Sequence, residues 1–85
     1  LKQLFYLNLG YNRLSELPEA LGGLKGLETL ELYGNRLASL PRSLLDLPNL
    51  EWLDLSRNPE LNEKGVGKAT NGYAVGDMLE SFFNE

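Results

Sequence analysis

Two pairs of carboxylates recur at the same spacing in this chain of 85 residues. Glu28 and Glu51 form the first pair, Glu31 and Asp54 form the second, and the members of each pair stand 23 residues apart. On adjacent strands, the backbones of such a pair are about 5 Å apart. Paired acids at this distance can hydrolyse a glycoside or bridge a cation such as Ca²⁺.

Both kinds of site need more than two acids. Glycoside hydrolysis needs a pocket that shields the sugar, which an open sheet does not supply, and a calcium site needs about six or more oxygen ligands. The chain has no His and no Cys, which excludes Ser–His and Cys–His catalysis and the usual zinc ligand sets within it. We therefore expect no enzyme activity, no catalytic residue and no metal site, and we interpret the two pairs as a solvated acidic face.

The stretch Gly65–Thr70 is glycine-rich and includes a lysine, as phosphate-binding loops do. The full motif requires glycine at the position of Asn62, and serine or threonine at the position of Ala69 to hold Mg²⁺. Only 15 residues follow Thr70, which is too few for the rest of a nucleotide-binding fold. We predict a connecting loop here, with no nucleotide or other cofactor.

Leucines with a period of 23 residues must position all of these side chains. Each of three units has leucines at the spacing L-x-x-L-x-L, followed by an asparagine: Leu4, Leu7, Leu9 and Asn12; Leu27, Leu30, Leu32 and Asn35; Leu50, Leu53, Leu55 and Asn58. Side chains alternate faces along a strand, so the last two leucines of each unit point into one interior. One coil cannot bury that face alone, whereas stacked coils bury it together.

This pattern resembles the leucine-rich repeat family from Leu1 to about Leu61, and Leu17-Pro18 and Leu40-Pro41 resemble its 23-residue L-P type. The resemblance implies an α/β fold, a leucine-rich repeat solenoid with a curved parallel sheet on the concave side. Short helical or 3₁₀ return segments then lie on the convex side. Repeats of the L-P type occur in intracellular signalling scaffolds and in many bacterial repeat proteins.

Asparagines close the predicted strand segment of each coil. Asn12, Asn35 and Asn58 stand where the chain must turn inward. A buried amide at that point can satisfy backbone groups with its oxygen and with its N–H donors. We therefore expect these asparagines to form a structural ladder rather than to contact a ligand.

Prolines and glycines mark the predicted return segments. Pro18 and Pro41 are expected at the first position of a short helical turn, since proline fixes a helical φ and its missing N–H is not needed there. Gly22–Gly23 and Asp46 are predicted as solvent-facing bends that lead into the next strand.

We divide the chain into leucine-rich repeats over 1–61, a glycine-rich loop over 62–72 and a C-terminal helix over 73–85. The helix is predicted from an apolar stripe at helical spacing: Val75, Met78, Leu79, Phe82 and Phe83. Two roles remain open for it, a cap over the third coil and a docking helix for a partner or a second copy of the chain. Because the repeat is already under way at Leu1, we expect the chain to be part of a longer protein.

The candidate partner-binding residues point away from the leucine interior, onto the face that is concave in this family: Tyr6, Asn8, Tyr11, Thr29, Glu31, Tyr33, Trp52, Asp54 and Arg57. Tyr, Trp and Arg are the residue types that most often supply binding energy in interfaces. Trp52 has two open interpretations. It is either a binding hot spot or a sheet-packing residue that stacks on Thr29 and Tyr6 of the neighbouring strands.

Composition narrows the class of partner. The net charge of −4 and the pI of about 4.8 argue against nucleic acid, because phosphate binding is driven by clustered Lys and Arg. No apolar run approaches the roughly 20 residues that span a bilayer, so we expect no membrane partner. The chain has no Cys and no N-x-S/T glycosylation site, which favours a cytoplasmic location.

We expect a non-catalytic protein–protein interaction scaffold whose concave face binds a protein partner with a basic patch. Glu31 and Asp54 would guide the approach of that partner, and the aromatic residues would supply buried area. Two alternatives stay open. The chain is a structural or assembly module that self-associates through its open repeat ends or its C-terminal helix, or it positions a substrate for a catalytic domain outside these residues.

Overall fold

The computed structural model describes residues 4–64, 70–71 and 73–83. Its strands are β1 (Tyr6–Asn8), β2 (Thr29–Glu31), β3 (Trp52–Asp54) and β4 (Thr70–Asn71), and they form one sheet in that order. The first three strands are parallel, and β4 pairs antiparallel with β3. The parallel sheet of three strands is the one that the leucine period predicts.

The register of the sheet follows the period of the leucines. Leu7 is aligned with Leu30, and Leu30 is aligned with Leu53. Leu30, Leu32, Leu53 and Leu55 are fully buried, because they point from the strands into the interior between sheet and return segments. The leucines of the first coil are only partly buried and pack against that core from one side: Leu7, Leu9, Leu14 and Leu17.

Two 3₁₀ helices return the chain between the parallel strands, Glu19–Gly23 and Arg42–Asp46. Pro18 and Pro41 each precede a helix by one residue, with extended ψ angles of 149° and 137°. They are therefore caps and do not occupy the first helical position that the sequence predicts. The reason lies in their carbonyl groups, which accept the N–H groups of Leu21 and Leu44 at 3.2 and 3.1 Å and so begin each helix.

Gly22 corrects the prediction of a solvent-facing bend at Gly22–Gly23. Both glycines lie in the first 3₁₀ helix, and Gly22 is buried against the second one. A Cβ atom on Gly22 would lie 2.6 Å from the Cβ of Ser43 and 2.8 Å from its carbonyl oxygen. Gly23 and Asp46 are exposed, so the contact between stacked return segments buries only one of the two glycines.

The short helix α1 (Pro59–Glu63) follows directly after the third repeat. Its first helical residue is proline, which is favoured there because that position needs no N–H donor. The predicted loop was expected to begin at Asn62, but Asn62 lies within α1. Its side chain accepts the N–H of Asn58 at 3.1 Å and donates to the carbonyl of Leu55 at 3.3 Å, which holds this residue in the helix.

Strand β4 also lies within the range 62–72 that was predicted as a loop. Thr70 is aligned with Leu53, and Asn71 with Trp52. The glycine-rich stretch that shares features with phosphate-binding loops falls, apart from Thr70, outside the described residues, as do Gly72 and residues 84–85.

Helix α2 spans Tyr73–Phe83 and packs on the second 3₁₀ helix. Val75 and Leu79 are each only 2% exposed and join the leucine core. Phe82 and Phe83 are partly buried against it, with their rings 5.1 Å apart in an edge-to-face arrangement. The guanidinium of Arg42 lies 5.2 Å from the centre of the Phe83 ring. It also donates a hydrogen bond to the backbone carbonyl of Phe83 at 3.4 Å.

A cavity of about 110 Å³ remains between α2 and the second 3₁₀ helix, lined by leucines of that helix and by Val75 and Leu79. None of the helices in the described ranges is long and apolar enough to cross a membrane.

Candidate partner-binding face

The strand face is the side of the sheet opposite the leucine core. The register places its side chains in rows that run across the strands. The aromatic row consists of Tyr6, Thr29 and Trp52, and the acidic row consists of Asn8, Glu31 and Asp54. A third row lies two residues beyond the ends of the strands and consists of Gly10, Tyr33 and Ser56. The strand face thus brings together seven of the nine predicted site residues, and Tyr11 and Arg57 lie at its edge.

Tyr6 and Glu31 join the first two coils on this face. The Tyr6 hydroxyl donates a hydrogen bond to the carboxylate of Glu31. This hydrogen bond, together with desolvation and the negative charge of Glu31, raises the pKa of Tyr6 above its ordinary value. Tyr6 is still 48% exposed, so its ring remains accessible to a partner.

Asp54 is held by the turn that follows β3. One of its carboxylate oxygens accepts the Ser56 N–H at 3.0 Å and the Ser56 hydroxyl at 2.7 Å. Glu31 likewise uses one oxygen to accept the Tyr6 hydroxyl. Within the described ranges, no Lys or Arg forms an ion pair with either carboxylate.

The paired acids lie on the strand face or at the start of its strands. Glu31 and Asp54 are aligned on adjacent strands, as the repeat predicts. Among residues 4–64, 70–71 and 73–83, there is no group of three or more His, Cys, Asp or Glu side chains arranged to hold a metal ion. Glu28 and Glu51 are both exposed at the start of their strands.

At the carboxyl edge of the sheet, the ring of Tyr33 lies against Gly10 and the ring of Tyr11 lies against Gly34. The sequence-based prediction does not include these contacts. A Cβ on Gly10 would lie 2.4 Å from the Tyr33 ring, and a Cβ on Gly34 would lie 2.4 Å from the Tyr11 ring. The two rings are 5.1 Å apart at an interplanar angle of 75°. The sequence does contain a signal for this contact, because the order Gly10-Tyr11 in the first coil becomes Tyr33-Gly34 in the second.

A left-handed backbone conformation recurs just before each asparagine. Tyr11, Gly34 and Arg57 occupy equivalent positions, with φ angles of 58°, 72° and 59°. Glycine adopts this conformation without strain, whereas side chains with a Cβ cost about 1–2 kcal/mol there. Tyr11 is 66% exposed, and Arg57 is exposed as well. Both side chains therefore project from a turn whose geometry is set by the repeat.

The asparagines at these turns differ in what they bond. Asn35 accepts the N–H groups of Asn12 and Leu14 at 3.0 and 2.9 Å and donates to the carbonyl of Leu9 at 3.0 Å, so it bridges two coils. Asn12 is exposed, and its amide donates only to Gly10 of its own turn, at 3.2 Å. The described residues include no coil ahead of Asn12 that its amide could bridge.

Asn58 makes the corresponding bridge between the second and third coils. Its oxygen accepts the N–H of Leu37 at 3.0 Å, and its amide nitrogen donates to the carbonyls of Leu32 and Leu55 at 3.0 Å each. Asn58 has no exposed surface, and Asn35 is 3% exposed. Both amides are therefore buried, and each satisfies backbone groups of two adjacent coils.

Trp52 lies between two neighbouring strands on the strand face. Thr29 is its partner in β2, and Asn71 is its partner in β4. The Trp52 side chain is half-buried, so part of its surface remains accessible. The residue next to it in β4 was not anticipated, because the sequence around Asn71 has no strand pattern.

The chain is similar to one described protein family. The sequence model of a protein family described as "Leucine rich repeat" matches residues 2–59. That segment contains β1 to β3, both 3₁₀ helices and all three asparagines of the turns. No curated protein matches the chain.

Proposed function

Because the chain belongs to the leucine-rich repeat family, whose members generally mediate protein–protein interaction, we propose that it is a non-catalytic scaffold that binds a protein partner. The strand face is the concave face of this proposed solenoid, and the partner presents a basic patch to it. One observation supports this above all others. Accessible aromatic side chains lie beside Glu31 and Asp54, whose charges no basic side chain of the described residues neutralises.

We also propose that β4 and α2 close the C-terminal end of the solenoid. β4 pairs with β3 and so covers the edge that the third coil would otherwise expose. Val75 and Leu79 of α2 are buried in the leucine core, which is the position that a capping helix occupies. A docking helix would instead present its apolar stripe to a partner.

A matched set of variants tests the scaffold proposal. The double variant Tyr33→Ala, Trp52→Ala removes two aromatic side chains of the strand face. The control Glu16→Ala, Glu60→Ala changes two exposed side chains away from that face. Circular dichroism and thermal unfolding show whether each variant is folded. Affinity capture from a native lysate then compares the proteins that each variant retains.

We expect a partner that the wild type and the control retain and that the double variant loses. An isolated partner should then bind in calorimetry with an affinity at least about 30-fold weaker for the double variant, as loss of a hot-spot aromatic residue predicts. Equal retention by a folded double variant would contradict binding on the strand face.

A second function is favoured by the incomplete burial of the first coil. Phe5 is 62% exposed, Leu7 and Leu9 are only partly buried, and one edge of β1 has no strand beside it in the described residues. A second copy of the chain could cover this end, which would make the chain an assembly module. Light scattering over a range of concentrations tests this alternative, because self-association raises the measured mass.

The cytoplasmic location and the signalling context remain predictions. Fractionation of cells with an antibody against the chain would test the location. An enzymatic role is not proposed, because the family is typically a non-catalytic interaction module.

A further inference from the structure

We propose that the strand face binds an arginine side chain, which stacks on Trp52 and donates hydrogen bonds to Glu31 and Asp54. This inference rests on the proposed function, since it names the residue type through which a protein partner contacts the face. The arginine belongs to an extended segment of that partner, which complements the strand face in charge and in shape.

Trp52, Asp54 and Glu31 lie next to one another on the strand face. Trp52 and Asp54 stand two apart in β3, so their side chains project from the same side of the sheet. Asp54 is aligned with Glu31 of β2, and adjacent strands are about 4.8 Å apart. An indole ring and two carboxylates therefore border one patch of the strand face. All three side chains are half-buried and keep accessible surface.

The second step is the orientation of the carboxylates. Ser56 donates twice to one oxygen of Asp54, and Tyr6 donates to one oxygen of Glu31. These donors are neutral, so they orient both side chains without bringing a positive charge to the patch. The second oxygen of each carboxylate receives no hydrogen bond from the described residues. A cation that binds in this patch can contact two carboxylates that are already oriented. Little side-chain entropy is then lost on binding.

The third step distinguishes arginine from lysine. The guanidinium group is planar, has five N–H donors in a fixed fork and is more weakly hydrated than an ammonium group. It can lie flat on an indole while its edge donates to carboxylates on two sides, which a lysine ammonium cannot do. Thr29 separates Tyr6 from Trp52 and is the smallest side chain of the aromatic row, so the aliphatic part of an arginine fits there.

The remaining charges around the patch agree with a cationic ligand. Glu28 and Glu51 are exposed at the amino ends of β2 and β3, and the chain as a whole has a net charge of −4. Arg57 is the basic residue of the third coil nearest in sequence to Asp54, and it lies in the turn beyond Ser56 without an ion pair to Asp54.

Trp52 makes the proposal directly measurable, because it is the single tryptophan of the chain. The probes are short peptides of alternating arginine and serine, of alternating lysine and serine, and of alternating citrulline and serine. Citrulline keeps the planar shape of arginine and lacks its charge. We expect the arginine peptide to change the Trp52 emission saturably and the lysine peptide to bind at least about threefold more weakly. The citrulline peptide should give no saturable change.

Conservative variants locate the contact. Glu31→Gln and Asp54→Asn keep the acceptor oxygens for Tyr6 and Ser56 and remove one charge each. Each should weaken binding of the arginine peptide by about two- to fivefold, as loss of an accessible ion pair predicts. Glu60→Gln removes the same charge from the exposed surface of α1 and should leave the affinity unchanged.

Equal affinity for the arginine and lysine peptides would overturn the inference, because charge alone would then explain binding. An unchanged affinity of folded Glu31→Gln and Asp54→Asn would overturn it as well. These results are distinguishable from failure of the proposed function. If the double variant Tyr33→Ala, Trp52→Ala loses its protein partner but the arginine peptide does not displace that partner, only the arginine inference fails. If that variant keeps the partner, the proposed function fails.

Discussion

Side chains at equivalent positions of this repeat make different contacts, depending on which coils surround them. The side chains of Asn58 and Asn35 each bond to the backbone of the preceding coil, whereas the side chain of Asn12 bonds only within its own turn. Asparagine therefore stabilises the contact between two coils at Asn35 and Asn58, and stabilises only an exposed turn at Asn12. The energetic consequence depends on burial, since an unsatisfied polar group is costly only where water cannot replace the lost partner.

Asn58→Ala and Asn12→Ala form a matched pair of substitutions. Asn58→Ala leaves the buried N–H of Leu37 without its partner and removes one of the donors to the carbonyls of Leu32 and Leu55, so it should lower the free energy of unfolding by about 1–3 kcal/mol. Asn12→Ala removes one exposed hydrogen bond and should change it by no more than about 0.5 kcal/mol. Urea unfolding followed by circular dichroism measures both values. Similar losses in the two variants would show that burial does not set the cost.

Tyr6 should titrate above the ordinary tyrosine pKa of about 10, because ionisation breaks its hydrogen bond to Glu31 and places two negative charges side by side. Glu31→Gln should lower this pKa towards the ordinary value. Because the folded-state pKa is the higher one, the contribution of Tyr6 to stability is complete below about pH 10 and is lost as the pH rises through the folded-state pKa.

Ultraviolet absorbance of tyrosinate measures this titration. The difference between the wild type and Tyr6→Phe isolates Tyr6 from the other three tyrosines. The charge control Glu60→Gln should leave the curve in place. A Tyr6 pKa that is the same in the wild type and in Glu31→Gln would mean that the charge of Glu31 does not raise the pKa of Tyr6.

At the level of single residues, the sequence predicts the features that depend on one repeat. It does not predict the features that depend on contacts between two coils. The alignment of Glu31 with Asp54 follows from the period of the leucines, because a fixed number of residues per coil returns equivalent positions to neighbouring strands. Burial of Gly22 depends on the contact with Ser43 in the next coil, which the pattern of one coil does not include. Strand β4 has two residues, too few for an alternating pattern to be recognised.

At the scale of elements, the two 3₁₀ helices lie close enough that one of them needs glycine. The contact falls on Gly22, whereas nothing lies within 4 Å of a Cβ placed on Gly23. Glu19 reinforces the same stacking, since its carboxylate accepts the N–H of Ser43 at 3.2 Å. The spacing between the return segments is therefore set by backbone approach as well as by the leucines beneath them.

Neighbouring glycines should consequently respond in opposite directions to the same change. Gly22→Ala forces the first 3₁₀ helix away from Ser43 and should destabilise the fold by about 1–3 kcal/mol. Gly23→Ala meets no atom and restricts the unfolded chain, so it should stabilise by about 0.4–1 kcal/mol. Thermal unfolding of both variants at one pH tests the pair. Equal shifts of Tm would show that the two helices are not in close contact.

Helix α2 offers a test of the capping proposal through two adjacent residues. Leu79 is 2% exposed in the core and Glu80 is exposed. Leu79→Ala should lower the free energy of unfolding by about 2–5 kcal/mol, because it removes buried apolar contacts next to an existing cavity. Glu80→Ala should change it by no more than about 0.5 kcal/mol. If Leu79→Ala weakens partner binding and leaves unfolding unchanged, α2 is a docking helix.

At the scale of the whole molecule, the negative charge should act on the speed of association. A basic ligand is attracted over a distance that ionic strength controls, since the screening length shortens as salt is added. The aromatic contacts form only after docking and depend little on salt. Charge and aromatic area therefore act on different steps of binding.

The arginine–serine peptide should accordingly associate about tenfold more slowly when ionic strength rises from about 0.05 M to about 0.5 M, with a nearly constant dissociation rate. Stopped-flow measurement of Trp52 emission gives both rates. An association rate that does not change with salt would exclude steering by the acidic side chains.

The exchanged order of Gly10-Tyr11 and Tyr33-Gly34 makes the first two coils a matched pair. Each ring fills the place that the neighbouring glycine leaves open. An array built by duplicating the first coil would set tyrosine against tyrosine and glycine against glycine, so these coils are not interchangeable modules. Natural variation at one of these four positions should therefore be accompanied by a compensating change in the adjacent coil, and shuffling of coils should stop at this boundary.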